Sequence, residues 1–356
     1  MKKILLTAML CGSMIFSLAA CGGSGNSASA PVETKVAEEG GNGVDTSNAK
    51  YTVKIGMPTA GKHFQNYTAE QFEAAIEEAS KGDIDVQIYP SSQLGTAAQM
   101  LEGVQNASIE AAMIPSSYFD SYTNSLTAVT DIPYFFNDVD QIYTVLNSEE
   151  NPLNAELEFY GFTVGAWLKN TPRYILSQTK YESLTDMKNQ KIWCLPSTTL
   201  QNELSAYGAS PTALDPSDIA TSLQNGTVDG VETDVIFMNV QGLGESAKYL
   251  NQVPATPMTN LFVFSTDWLA NLPADYQTLI LETAKTVTDT LETEYVAGQY
   301  NGCLAALQEA GVEIVEPSES LLAELKEASK SVVDNYCGTS AKHQEIYDAL
   351  TTLISK

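Results

Sequence analysis

From Tyr51 onward the apolar residues recur with two periods, every second position in some stretches and every third or fourth in others, which marks strands and helices respectively. The first strand is YTVKIGM (51–57), with Val53 and Ile55 on one face. A glycine-containing loop bearing His63 and Phe64 follows it. Helical spacing then runs from Tyr67 to Ala79 and places Phe72, Ala75, Ile76 and Ala79 on one stripe. DVQIYP (85–90) reads as a β-branched strand stopped by proline, 97–105 as an amphipathic helix, and IEAAMIP (109–115) as a short buried strand. This repeat predicts an α/β fold with a mostly parallel sheet and helices on its faces. Ligands of such sheets bind where loops leave the carboxyl ends of the strands, which makes His63, Gln93 and the stretch from Ser116 to Tyr118 candidate wall residues.

The rhythm continues in WLKNTPRYILSQTKYESLTDMKNQKIWCLP (167–196), read as two strands around a turn. In the first, Arg173, Ile175 and Ser177 share a face. Ser183 with Asp186 three residues on has the form of a capping box. In the second, Trp193 shares a face with Lys191 and Leu195, and a helix capped near Ser197 or Thr198 runs to Gly208. Strand, helix and strand follow at 210–214, 216–226 and 227–234, with Gly226 suited to a helix C-terminus. From Pro273 to Ala310 the pattern is helical without an internal proline. At 1.5 Å per residue such a helix reaches ~50 Å, more than the ~30 Å of a small domain, so it is expected to span two lobes. Two more amphipathic helices fill 321–355.

The N-terminus is different in kind. Lys2 and Lys3 precede an apolar run from Ile4 to Phe16 that closes with Leu18-Ala19-Ala20-Cys21. This is the layout of an export signal, too short for a stable membrane span. Its ending resembles the lipobox of bacterial lipoproteins, which implies a signal peptide at 1–20, cleavage before Cys21 and acylation of its sulfur, and so an extracytoplasmic protein lipid-anchored to the outer face of the bacterial cell membrane. The other reading is an ordinary secretory signal with an incidental cysteine. Residues 21–49 are small and polar and read as a flexible tether.

Composition narrows the partners. With 44 acidic and 18 basic residues, a formal charge of -26, the surface repels phosphate backbones, so nucleic acid is excluded as a partner. Among the basic residues Arg173 is the only arginine. Beyond the signal and Cys21, the cysteines are Cys194, Cys303 and Cys337, far apart and odd in number, which argues against a zinc site or a disulfide framework. Asp218, Asp229, Glu232 and Asp234 match no calcium loop, so no metal is expected. No metalloprotease, P-loop or nucleophile-elbow motif occurs, and no cofactor is expected. Gly242-Leu-Gly244-Glu-Ser-Ala247 matches a dinucleotide fingerprint only superficially, without a βαβ unit in front of it.

Several pieces in order carry a family resemblance: VKIGM (53–57), YPSSQLG (89–95) before a helix with Glu102, LTAVTDIPYFF (126–136), TPRYIL (171–176), SLTDMKNQKIW (183–193), SLQNGTVDGVET (222–233) and SAKYL (246–250). Over Tyr51 to about Ser340 the chain resembles the extracytoplasmic solute receptors of tripartite ATP-independent periplasmic (TRAP) transporters, of the dicarboxylate-receptor type. The resemblance implies a two-lobed periplasmic-binding-protein-like fold, with lobe I at 50–170 plus about 259–298 and lobe II at 171–258 plus about 299–356. It also implies a ligand cleft between the lobes, hinge closure, and a small and a large integral-membrane permease subunit as partners of a monomeric receptor. No catalytic residue is expected. The alternatives are a cell-surface solute sensor without a permease, or a cleft enzyme using Cys194.

The departures bear on the solute. Where the family usually has K-I-R, with the arginine clamping a ligand carboxylate, this chain has Lys191-Ile192-Trp193. Where V-D-G-x-E-N is usual it has Glu232-Thr233, and Asp218 stands where glutamate is common. Tryptophan cannot form the bidentate fork, a loss of ~2 to 3 kcal/mol or more, which disfavours a simple dicarboxylate. The expected site is Arg173 for an acidic group on a small organic solute, Trp193, Trp167, Tyr118 and Phe237 for apolar walls, and Thr233 and Ser116 for hydrogen bonds, with Asp234, His63 and Gln93 nearby. Trp193 then stacks on an aromatic ligand or covers a cationic headgroup. In the other arrangement Trp193 only packs, and Lys169 or Lys191 takes over the clamp.

Overall fold

The computed structural model describes residues 44–59, 61–212, 214 and 216–356. The expected signal, Cys21 and most of the tether lie outside the described residues.

Strand β1 (Tyr51–Gly56) leads to helix α1 (Phe64–Ser80), β2 (Ile84–Tyr89), α2 (Ala97–Gln105) and β3 (Ala111–Pro115). Helix α1 starts earlier than its apolar stripe because His63 caps it, its side chain accepting the Gln65 amide. Helix α2 begins at a capping box formed by Thr96 and Gln99. Two 3₁₀ turns (Ser116–Ser121 and Leu126–Asp131), α3 (Val139–Leu146) and α4 (Pro152–Phe159) come before β4 (Phe162–Ser177).

The chain then runs through α5 (Leu184–Met187), β5 (Lys191–Trp193), α6 (Thr198–Ala206) and β6 (Ser210–Thr212). It continues with α7 (Ile219–Gln224), β7 (Gly230–Asp234), α8 (Val235–Val240) and β8 (Tyr249–Ser265). Helices α9 (Thr266–Ala270) and α10 (Ala274–Glu309), β9 (Glu313–Val315), α11 (Glu319–Thr339) and α12 (Ala341–Ile354) complete the order. The capping box at Ser183 and Asp186 and the left-handed Gly226 (φ 74°) fall where their residue types point.

Among the described residues the strands form one sheet in the order β2-β1-β3-β8-β4-β7-β5-β6, with β9 beside β8. Five of its eight pairings are parallel, as expected, and the three antiparallel ones make it a mixed sheet. The short strands at both ends pair in parallel, whereas the long strands β4 and β8 run antiparallel to each other, to β7 and to β3. Strand β4 replaces the first expected strand with one 16-residue element carrying both Trp167 and Arg173. Its first half pairs with the end of β8, Phe162 opposite Ser265, and its second half pairs with β7, Arg173 opposite Asp234. Register shifts around Lys169, Pro172 and Tyr174 separate the halves, as expected where proline removes a ladder donor.

The end of β8 shows why this centre is stable. Phe262 and Phe264 join one core cluster with Phe72, while Leu261 and Val263 join another with Phe162 and Trp167. Alternating side chains thus bury both faces of one strand. Phe262 meets Phe72 edge-on at 5.0 Å and is fully buried. Helix α10, 36 residues long, packs against α1, β4 and α8. Tyr295 stacks on Tyr67 at 4.0 Å, and the Tyr174 and Tyr300 hydroxyls lie 3.0 Å apart, fixing the helix to α1 and to β4. Phe262→Ala is expected to cost about 3 to 5 kcal/mol in urea unfolding with an unchanged m-value; a loss below about 1 kcal/mol would contradict the two-faced core.

Candidate functional site

A cavity of about 850 Å³ opens where the β1–α1 and β2–α2 loops and the ends of β3, β5 and β7 converge. One side is formed by Thr59, His63, Gln65, Ser91, Ser92 and Tyr118. The other is formed by Trp193 to Pro196, Leu214, Thr233, Asp234 and Phe237. The mid-portions of β4 and β8 supply Asn170, Met258 and Asn260. Of the residues expected from sequence, His63, Tyr118, Trp193, Thr233, Asp234 and Phe237 line it.

The others stand elsewhere. Trp167 is buried in a core cluster, its indole donating to Asn154 Oδ1 at 2.9 Å. Ser116 is buried and hydrogen-bonded to Thr259 and Thr130. Gln93 is exposed on the β2–α2 loop, whose Ser91 and Ser92 reach the wall instead. Lys169 pairs with Asp140, and Lys191 is exposed on the short strand β5.

Arg173 does not line the cavity either. It is fully buried among Glu232 (3.5 Å), Asp131 (3.7 Å) and Glu203 (3.7 Å), and donates to the Asp131 carbonyl at 3.3 Å. Sequence position alone did not reveal this, because the three acids come from β7, a 3₁₀ turn and α6. Burial opposes the guanidinium charge, but Glu232, Asp131 and Glu203 outweigh it and raise the Arg173 pKa. One cation cannot hold three buried carboxylates ionised. Burial therefore pushes Glu232 up to about 7, despite Arg173, and pushes Glu203 well above the ordinary carboxylate range. Asp120, close by on the first 3₁₀ turn, is likewise raised to about 7 by burial and by Asp131, while its carboxylate accepts the Thr198 amide at the start of α6.

The wall itself is electrostatically quiet. Burial lowers the His63 pKa to about 3, so its ring is neutral at ordinary pH. Asp234 caps α8, accepting the Phe237 amide at 2.9 Å, with a pKa raised by burial against those cap bonds. Trp193 and Phe237 lie 11° from parallel with ring centroids 6.4 Å apart, and the Trp193 indole donates to the Leu214 carbonyl at 3.0 Å. The sequence reading missed Asn170, Gln65 and Asn260. The one signal for Asn260 was its place directly before the apolar run LFVF, where an amide on a buried strand needs a partner.

Set beside known proteins, the chain matches the family model of bacterial extracellular solute-binding proteins, family 7, over residues 55–339. It is 27% identical over 244 residues to a C4-dicarboxylate-binding periplasmic protein of Rhodobacter capsulatus, covering 68% of this chain and 73% of that one. It is 24% identical over 272 residues to a 2,3-diketo-L-gulonate-binding periplasmic protein of Escherichia coli, covering 76% and 82%. Among solved structures it is similar to a TRAP periplasmic solute-binding protein from Desulfovibrio salexigens with bound orotic acid, at TM-score 0.80 and 25% identity, covering 86% of this chain and all of the other.

The acid cluster carries a pH dependence of known sign. Glu232 and Asp120 bind a proton more tightly in the folded chain than in the unfolded one. The stability they contribute is complete below the unfolded value, 4.5 for Glu232, and is lost as pH rises through about 7. The melting temperature is expected to fall from about pH 5 to about pH 8. Glu232→Gln should make that slope shallower; an equal or steeper slope in the variant would count against the cluster.

Proposed function

Because the chain belongs to the bacterial extracellular solute-binding proteins of family 7, we propose that it is the solute receptor of a TRAP-type secondary transporter. It captures a small organic solute in the cavity at the strand ends and delivers it to a small and a large integral-membrane subunit. The observation that carries this reading is the cavity itself. Its 850 Å³ suits a small molecule, and loops from both ends of the sheet surround it. The Desulfovibrio salexigens protein of the same fold holds orotic acid, a molecule of that size class.

On this reading two lobes, 50–170 plus about 259–298 and 171–258 plus about 299–356, are joined through β4 and β8, which pair antiparallel with shifts of register, and closure about these strands encloses the solute. Outside the membrane, acylated Cys21 anchors the monomer to the cell surface, with the tether up to residue 49 as its leash. Among the described residues no helix is long and apolar enough to cross a membrane.

Binding without turnover fits the wall chemistry. Cys194 lines the cavity, but burial and the Glu232 carboxylate raise its thiol pKa well above the ordinary value, so it is a poor nucleophile.

Mild denaturation of the purified protein should release one small organic molecule, identifiable by mass spectrometry and unchanged after hours with the protein. Re-adding it at a hundredfold excess over its Kd should raise unfolding stability by about 2.7 kcal/mol. A molecule that is converted on standing would indicate an enzyme, and the lack of any stabilising solute would overturn the receptor reading.

A further inference from the structure

The walls narrow the solute class, granting the receptor reading on which this inference rests. The described lining contains no lysine and no arginine. Within 44–356, Ala60, Ala213 and Asp215 and the side chains of Ser217, Ala255 and residues 290–294 lack description, and none of them is basic. Each cation that the sequence offered is engaged or turned away: Arg173 lies among three carboxylates, Lys169 on Asp140, and Lys191 in solvent. A solute carboxylate would enter a buried site whose described lining has Asp234 as its one acidic side chain and no positive charge to offset its desolvation.

Two of its lining residues carry buried side-chain donors without a hydrogen-bond partner. The Met113 carbonyl can only accept, so the Gln65 side-chain nitrogen faces it at 3.0 Å. That same nitrogen donates to Asn260 Oδ1 at 3.0 Å, which turns Asn260 Nδ2 away, without a hydrogen-bond partner. Asn170 Oδ1 accepts the Thr171 amide at 2.6 Å. Asn170 Nδ2 lies near enough to Asp234 to favour its carboxylate, yet makes no hydrogen bond of ordinary geometry. Both asparagines line the cavity and are at most 2% exposed. A buried donor left unmade costs about 1 to 3 kcal/mol, so each calls for an acceptor oxygen from a ligand. Asp234 accepts the Phe237 and Ile236 amides at its helix cap, and of the roughly four lone-pair sites of a carboxylate some remain for a donor.

The remaining wall is flat. Trp193 and Phe237 share an orientation, and with the indole N–H engaged by Leu214 the tryptophan offers ring faces rather than a donor. A ring laid against one is parallel to the other.

We propose that this cavity selects an uncharged, planar nitrogen heterocycle that presents carbonyl oxygens to Asn260 and Asn170 and a ring N–H to Asp234 while stacking on Trp193 or Phe237, and that it discriminates against the same ring bearing a carboxylate.

Calorimetric titration of the whole purified chain with matched pairs, uracil against orotate and thymine against uracil-5-carboxylate, tests this directly. The neutral member of each pair should bind at least tenfold tighter, about 1.4 kcal/mol. Asp234→Asn, which retains a good helix cap, should shrink that ratio at least threefold. Equal or tighter binding of the carboxylates, or no binding of any probe, overturns the inference. An aliphatic acid released on denaturation would sink it while leaving the receptor reading intact. No released solute together with no bound probe would sink both.

Discussion

One guanidinium surrounded by three buried carboxylates is the constraint around which the centre of this protein is arranged. Arg173 sits on the strand that crosses the molecule, Glu232 on β7, Glu203 on α6 and Asp131 on a 3₁₀ turn, all within 3.5 to 3.7 Å of it and all buried. Isolated buried charges are strongly disfavoured, so these four elements can pack together only while the cation is in place and part of the acid charge is neutralised by protons. Burial in this arrangement raises the pKa of both Glu203 and Glu232. The cluster also lies just beneath the solute cavity, because Arg173 pairs across the strands with Asp234, which is on the cavity wall.

This arrangement separates two roles that one arginine could have combined. With its charge engaged by protein acids, Arg173 holds elements together and leaves the wall to aromatic faces and amides. Trp193 in the place where the family usually has an arginine is consistent with the same division. Its indole is fixed by Leu214, and its ring lies parallel to Phe237. The family fold is retained, and on the proposed reading the solute is held by shape and hydrogen bonding rather than by charge.

Much of this was legible in the chain. The period of the apolar residues located β1, α2 and the long helix α10 closely, and the capping box at Ser183 and the glycine at 226 marked real element ends. What was not legible has physical causes. Strand β8 carries Pro254 and Pro257 within its span, so its pattern does not read as a strand of 17 residues. Residues 167 and 173 lie on one strand but were destined for different surroundings: Trp167 for a core cluster, Arg173 for acids contributed from 42 residues earlier and from 30 and 59 residues later, distances over which sequence spacing carries no information. Polar wall residues such as Asn170 and Asn260 were missed because a single amide has no periodic signature.

If Arg173 is structural, removing its charge costs stability rather than affinity. The most direct measurement is paired unfolding and solute titration of Arg173→Met, which keeps bulk and removes charge. The expected result is a loss of about 3 to 5 kcal/mol in unfolding free energy, as for a buried ion cluster deprived of its cation, with the affinity of the folded fraction for its own solute changed less than about threefold. An unchanged stability with a loss of affinity of tenfold or more would place the guanidinium on the solute and contradict it.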